Sequence, residues 1–179
     1  MKHTYPSEWE VELSLLEHYE ASEMDGIAWY AEARSFARSL ARQGKTGLAK
    51  PAGIIAALSP QCHWNRNKTM AIEVMETGWT TGQTTANIHK AVRIWEGERP
   101  LSVLGGQKVR AFYRAIMGDK DAVVLDTWMA QAIGWPHLNF SARQYEMCSR
   151  ALTRAASRAG VPPANFQAIV WTQVRGGGE

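Results

Sequence analysis

Apolar residues recur at helical spacing in the segment that follows the glycine pair Gly105-Gly106. They occupy positions i, i+3, i+4 and i+7, which form one face of a helix: Val109, Phe112, Tyr113 and Ile116. The segment begins at Lys108, and Gly118 stands just past its last apolar position, where a glycine commonly ends a helix. The pattern therefore predicts a helix between Lys108 and Gly118.

Helical patterns also account for most of the remaining chain. The other predicted helices cover residues 5–19, 25–43, 51–58, 65–76, 85–96, 126–133, 141–159 and 165–174. Proline marks both ends of one short apolar segment, with Pro51 in its first turn and Pro60 just after it. A brief apolar run at residues 122–125 has no convincing partner strand. We therefore predict an all-α fold of about eight helices.

Length and composition indicate one globular domain over residues 1–179. The chain is 45% apolar and 21% charged and contains only 7 prolines, which is typical of a folded domain. Within it we distinguish N-terminal helices in residues 1–48, a core in residues 50–135 that includes a hairpin at 101–118, and C-terminal helices in residues 141–175.

The two cysteines, Cys62 and Cys148, lie far apart and form no CxxC pair. We therefore expect neither a zinc site nor a four-cysteine iron–sulfur cluster, and no other cofactor motif is evident. Two widely separated cysteines without a CxxC motif favour a reducing compartment, and no apolar run reaches membrane length. These features predict a soluble, cytoplasmic protein without membrane contact, most simply a monomer.

Charge is distributed unevenly along the chain. Residues 1–25 hold seven acidic residues and one lysine, although the whole chain has a net charge of +3. The rest of the chain has 19 basic and 10 acidic residues, which is a net charge of +9. A basic body of this kind can bind nucleic acid through phosphate contacts, but many proteins of similar pI do not bind DNA.

Two segments resemble the helix-hairpin-helix (HhH-GPD) DNA glycosylases, in the layout of the endonuclease III-like branch. Residues 104–108 read Leu-Gly-Gly-Gln-Lys, and an Asp126-Thr127 pair follows, 18 residues after Lys108. Residues 57–61 read Ala-Leu-Ser-Pro-Gln, similar to the segment in which a glutamine fills the space left by an extruded base. The resemblance covers residues 50–135 and implies a compact glycosylase-like bundle with a trimmed first lobe.

The resemblance implies a role in catalysis for two residues. Lys108 would be an amine nucleophile, because the positive end of a helix dipole disfavours its charged form. Asp126 would stabilise positive charge on the sugar or help to activate the nucleophile. Each residue also has an ordinary interpretation, since lysines commonly face solvent and aspartate is a good helix N-cap. Asparagine caps nearly as well, so the fold is expected to survive Asp126→Asn.

The resemblance also implies contacts with double-stranded DNA. Gln61 would enter the base stack, although it is equally well read as a loop residue. Backbone N–H groups at a glycine turn can bind a phosphate. We assign this role to the turn and its neighbours, namely Gly105, Gly106, Gln107, Arg110 and Arg114, although a double glycine is also a common tight turn. Candidate pocket residues are Trp64, Trp128 and Tyr30, which are otherwise expected in the core.

The leading hypothesis is a DNA glycosylase that extrudes a modified or damaged base and cleaves its N-glycosidic bond. Attack by Lys108 would add an abasic-site lyase activity. Two alternatives stay open. One is an enzyme that modifies an extruded base on the same scaffold, and the other is a helix-hairpin-helix DNA-binding protein without catalytic activity.

Overall fold

The computed structural model describes residues 5–137 and 139–176, and this part of the chain contains ten α-helices and no β-strand. The all-α prediction is therefore confirmed. The helices are α1 (Glu8–Glu20), α2 (Trp29–Gln43), α3 (Ala49–Leu58), α4 (Trp64–Thr77), α5 (Thr85–Trp95), α6 (Pro100–Val103), α7 (Gln107–Met117), α8 (Thr127–Ala132), α9 (Ala142–Ala159) and α10 (Pro163–Arg175). No helix in these two ranges is long and apolar enough to span a membrane.

Two differences from the predicted helices stand out, and the other predicted bounds lie within three residues of the observed ones. The helix α6, which was not among the predicted helices, has only four residues, too few to show a periodic pattern in the sequence. The helix α2 begins at Trp29 because Met24 and Gly26 before it have φ angles of 62° and 87°, outside the helical region. The predicted end at Gly118 is confirmed, with a left-handed φ of 99°.

The chain forms two compact units. Unit 1 comprises the described residues up to Tyr30 and those from Asp119 onward, and therefore contains α1, α8, α9 and α10. Unit 2 comprises Ala31–Gly118 and contains α3 to α7 with most of α2. That residues 1–179 form one domain, as inferred from length and composition, stays a prediction.

Unit 2 is built around α3. All eight residues of Pro51–Leu58 are buried, and α4, α5, α6 and α7 pack against this helix. A Cβ atom on Gly53 would lie 2.7 Å from Cγ of Pro100 and 3.2 Å from Cγ2 of Ile94. The absence of a side chain at Gly53 therefore lets the first residue of α6 approach the core helix closely, which positions the hairpin that α6 begins.

The C-terminal end of α3 is buried, so its last carbonyl groups need hydrogen-bond donors from outside the helix. The side-chain amide of Asn67 in α4 donates to O of Ile55 at 3.0 Å. The side-chain amide of Gln83, just before α5, donates to O of Leu58 at 3.1 Å. Ser59 adds a hydroxyl bond of 2.9 Å to O of Ala56. These bonds hold α4 and the segment before α5 against the end of α3.

Unit 1 has its own core between α1, α8, α9 and α10. Its innermost side chains are at most 1% exposed: Val11, Leu15, Met129, Leu152 and Phe166. The Tyr145 hydroxyl of α9 donates to O of Val123 at 2.7 Å and accepts from N–H of Leu125 at 3.2 Å. The tyrosine therefore holds the extended segment that leads to Asp126 and α8.

Ion pairs join the acidic helix α1 to the basic side of α9. The buried carboxylate of Glu12 lies 2.8 Å from Nε of Arg154 and 2.9 Å from Nε of Arg158. Glu8 pairs with Arg154 at 2.6 Å and with Arg150 at 3.1 Å. Two carboxylates of the acidic segment thus pair with three arginines of the basic body, and these ion pairs stabilise the fold of unit 1.

The variant Arg154→Ala tests this interpretation. It leaves the carboxylate of Glu12, which is 1% exposed, with fewer donors, and we therefore expect the free energy of unfolding to fall. The exposed Arg143 on the same helix supplies the control, because Arg143→Ala should change this free energy by no more than about 0.5 kcal/mol. Urea unfolding measures both, and equal losses would contradict the role given to the ion pairs.

The effect of Arg154→Ala on stability should also depend on pH. Hydrogen bonds from Arg150 and Arg154 hold the pKa of Glu8 below its ordinary value of 4.5. A depressed pKa contributes stability above the unfolded value, and that contribution is lost as the pH falls through the lower folded value. The Glu8 contribution to the stability difference between the unaltered protein and Arg154→Ala should therefore shrink below about pH 4.5.

Candidate functional site

The helices α6 and α7 form a hairpin whose turn is the Gly105-Gly106 pair. Gly106 caps α7 with φ 75° and ψ 146°, a conformation that residues with side chains rarely adopt. A Cβ atom built on either glycine would meet no heavy atom within 4 Å. The turn is therefore open, and the backbone N–H groups of the first turn of α7 do not have helical acceptors. Such N–H groups can donate hydrogen bonds to a phosphate oxygen.

Four polar residues predicted to act in the hairpin lie on α7. Gln107 is exposed, Lys108 is half-buried in the first turn, and Arg114 is exposed in the last turn. The guanidinium of Arg110 donates to O of Leu101 at 2.6 Å, which ties α7 to α6 across the glycine turn. Arg110 therefore stabilises the hairpin. Its other guanidinium N–H groups are the donors with which it can bind a further acceptor, such as a phosphate oxygen.

Gln61 lies in the connection between α3 and α4 and is exposed. Its φ angle of 52° places it in the left-handed region, which is uncommon for a residue with a side chain. Strained residues of this kind persist where the surrounding structure holds them, and they concentrate at functional sites. Trp64 begins α4, and its ring packs edge-on against Phe36 with 5.9 Å between centroids. Trp64 thus belongs partly to the packing of α2 on α4.

Asp126 caps the N-terminus of α8, so the structural interpretation of this residue is confirmed. Its Oδ1 accepts from N–H of Met129 at 3.0 Å, and its Oδ2 accepts from Nε1–H of Trp171 at 2.8 Å. The residue is half-buried. A carboxylate has about four acceptor positions, so both oxygens keep capacity for a further partner. The two bonds fix the orientation of a negative charge at the start of a helix.

Aromatic side chains accompany Asp126 in unit 1. The Trp171 ring packs at 5.6 Å from that of Trp29, and the guanidinium of Arg175 lies 4.2 Å from its centroid. The same guanidinium lies 5.9 Å from the ring of Trp128, which is 39% exposed. Arg175 therefore lies against both Trp171 and Trp128, which places the two tryptophans near each other.

Tyr30 also lies in the electrostatic field of Asp126. Its hydroxyl donates to Oε1 of Gln167 at 2.7 Å. Burial raises the pKa of the Tyr30 phenol well above its ordinary value, and the negative charge of Asp126 raises it further. The phenol therefore stays protonated at neutral pH and acts as a hydrogen-bond donor.

The structure brings three predicted residues into one neighbourhood of unit 1: Asp126, Tyr30 and Trp128. The residues of α10 that accompany them were not predicted from the sequence. Gln167, Trp171 and Arg175 recur every four residues and so lie on one face of α10. That stripe of polar and aromatic residues could have indicated a functional face of α10. It lies about 40 residues beyond Asp126, so nothing in the sequence links it to that residue.

The remaining predicted residues belong to unit 2, in two places. The hairpin holds Gly105, Gly106, Gln107, Lys108, Arg110 and Arg114, and the connection between α3 and α4 presents Gln61 beside Trp64. Within residues 5–137 and 139–176, no three His, Cys, Asp or Glu side chains are grouped so that they could hold a metal ion. Cys62 and Cys148 are both free thiols.

One protein-family model matches residues 16–178, and its description reads "Family of unknown function (DUF7178)". No curated protein and no solved structure matches the chain.

The two hydrogen bonds to Asp126 change what is expected of Asp126→Asn. Asparagine has one side-chain oxygen, so its NH₂ group would face either Met129 N–H or Trp171 N–H. We expect a loss of about 1–3 kcal/mol in the free energy of unfolding, more than a change of cap alone would give. The variant should still fold, but with lower stability.

A double-mutant cycle isolates the Trp171 bond. Trp171→Phe removes the indole N–H, so Asp126→Asn should cost about 1 kcal/mol less in that background than in the unaltered protein. Denaturant unfolding of both single variants and the double variant measures this coupling. Additive costs, within about 0.5 kcal/mol, would mean that the bond does not hold the carboxylate.

Proposed function

We propose that this protein, which belongs to the DUF7178 family, is a DNA glycosylase of the helix-hairpin-helix type. It would extrude a modified or damaged base from double-stranded DNA and cleave the N-glycosidic bond of that nucleotide. The products would be the free base and an abasic site.

The observation that carries this proposal is the open glycine turn between α6 and α7. Gly106 is required by its backbone conformation, but Gly105 does not adopt a left-handed φ angle, so conformation alone does not require a glycine there. A phosphate can approach the backbone closely only where the space beside it is open, and both glycines face open space. The basic residues Lys108 and Arg114 on α7 add positive charge, which favours binding to the DNA backbone.

The exposed, strained Gln61 supports a role in base extrusion. A base inside the duplex hides the anomeric carbon of its sugar, and extrusion costs the stacking and pairing of that base. A side chain that enters the vacated space recovers part of this cost. The amide of Gln61 can donate to and accept from the base left without a partner.

Asp126 supplies the electrostatic part of the proposed chemistry. As the bond between base and sugar breaks, the bonding electrons leave with the base and positive charge develops on the sugar. A carboxylate in a fixed orientation stabilises this charge without reorganising during the reaction. Water attack on the sugar carbon then gives the abasic site, whereas attack by the uncharged amine of Lys108 gives an imine and lyase activity.

The glycine turn generates a prediction about DNA affinity. Gly105→Ala should fold normally but place a methyl group in the path of a phosphate, raising the dissociation constant for duplex DNA about tenfold at low salt. Gly106→Ala should instead lower stability by about 1–3 kcal/mol, because its backbone conformation disfavours a side chain. Fluorescence anisotropy across a salt series measures the affinity.

The unaltered protein should lose affinity steeply as salt rises in that series. Absence of binding at low salt would exclude the nucleic-acid function altogether. Unchanged affinity in Gly105→Ala would remove the hairpin from the DNA interface.

The chemistry is tested with duplexes that carry deaminated, oxidised or alkylated bases, and with mass analysis of the products. We expect a free base from at least one duplex, and a loss of at least about 100-fold in the rate of release in Asp126→Asn. Borohydride should trap the protein on DNA through an imine, and Lys108→Gln should abolish the trapping. Both variants are assayed below their melting temperatures, so that stability and activity stay separate.

Each other outcome of this experiment has its own meaning. An altered nucleoside instead of a free base would identify a base-modifying enzyme, and intact DNA throughout would identify a binding protein. Base release that continues in Lys108→Gln without trapping would assign the attack to water. Full activity in Asp126→Asn would contradict the role of the carboxylate.

A further inference from the structure

One side chain of unit 2 holds the segment that presents Gln61. The Nε2 atom of Gln83 donates to O of Leu58 at 3.1 Å and to O of Pro60 at 2.8 Å. Its Oε1 accepts from N–H of Thr84 at 2.8 Å, which fixes which end of the amide faces the segment. Both N–H donors of this amide are therefore used on the connection between α3 and α4.

The bond to Pro60 acts directly on the backbone of Gln61. The carbonyl of Pro60 and the N–H of Gln61 belong to one planar peptide unit. Holding that carbonyl fixes the plane from which the φ angle of Gln61 is measured, and this angle is 52°. A left-handed conformation at a residue with a side chain persists only where the surrounding structure enforces it. Gln83 holds one of the two peptide planes that define this angle, from more than twenty residues away along the chain.

We propose that Gln83 is a positioning residue, which holds Gln61 in the conformation needed to enter the DNA base stack. This inference rests on the proposed function. Without the two donated bonds, Gln61 would relax toward the common φ region, and its side chain would leave the position in which it is presented. The protein would then still bind duplex DNA through the hairpin, but it would no longer stabilise a gap in the base stack.

A purely structural role for Gln83 makes a different prediction. The bond to Leu58 caps the buried end of α3, and loss of this cap alone would lower stability without affecting DNA recognition. The bond to Pro60 lies beyond the helix and contributes nothing to its cap. The positioning role and the helix-capping role of Gln83 are therefore separated by measuring, in folded protein, the preference for DNA with a gap in its base stack.

Two variants and one control define the experiment. Gln83→Glu keeps an acceptor for Thr84 N–H but replaces the donor to the two carbonyls with a second oxygen. Gln83→Met removes the polar atoms without adding charge, so it stays informative if the glutamate variant folds poorly. Gln43→Glu makes the same change of charge at an exposed residue at the end of α2.

The probe is a duplex with a tetrahydrofuran abasic analogue and 2-aminopurine opposite to it, compared with the same duplex without a gap. We expect the unaltered protein to prefer the gapped duplex and to change its 2-aminopurine fluorescence. Gln61→Ala and both Gln83 variants should reduce this preference about tenfold, as expected for loss of a few hydrogen bonds. Affinity for the intact duplex should equal that of Gln43→Glu in Gln83→Glu, and that of the unaltered protein in Gln83→Met and Gln61→Ala.

The outcomes separate the inference from the function on which it rests. If the unaltered protein shows no preference, the extrusion role of Gln61 fails, and the inference fails with it. If Gln61→Ala loses the preference while folded Gln83→Met keeps it, Gln83 is only a helix cap and the inference alone is overturned. The double variant Gln61→Ala with Gln83→Met should be no worse than Gln61→Ala, and additive losses would also overturn the inference.

Discussion

The buried end of α3 sets the strongest constraint on unit 2. A helix whose last turn lies in the core has carbonyl groups that water cannot reach, and each needs a donor from the protein. Asn67 of α4 and Gln83 before α5 supply donors, so both segments are fixed relative to α3. Gly53 adds a second constraint, because its bare backbone lets α6 approach. The hairpin and the Gln61 segment are thus both positioned by one core helix.

Unit 1 also has buried backbone groups that need hydrogen-bond partners, and they lie in an extended segment. Residues 122–125 are buried without forming a strand, so their backbone groups depend on side chains such as the hydroxyl of Tyr145. That segment delivers Asp126 to the start of α8, where capping uses one oxygen and Trp171 the other. The side chain therefore serves the fold whether or not it serves catalysis, and stability has to be measured beside activity in every variant of this residue.

The ion pairs between α1 and α9 change the electrostatic argument for DNA binding. Net charge suggested a basic body beside an acidic segment, but within unit 1 Glu8 and Glu12 pair with three arginines of α9 and offset two of their three charges. The bulk charge of the chain is consequently a poor guide to the binding surface. Phosphate binding is favoured locally instead, by an open glycine turn at the start of a basic helix, where backbone donors and side-chain charges act together.

The sequence by itself determined the helices and several of their ends. Periodic apolar positions predicted α7, and Gly118 and Asp126 marked boundaries, because capping and backbone preferences depend on residues close together in the chain. Only the tertiary structure revealed the four-residue helix α6 and the partners of the candidate residues. Trp171 lies 45 residues beyond Asp126, and Gln83 lies 23 residues beyond Pro60. Such contacts depend on how helices pack, and packing brings together residues whose separation leaves no local pattern to read.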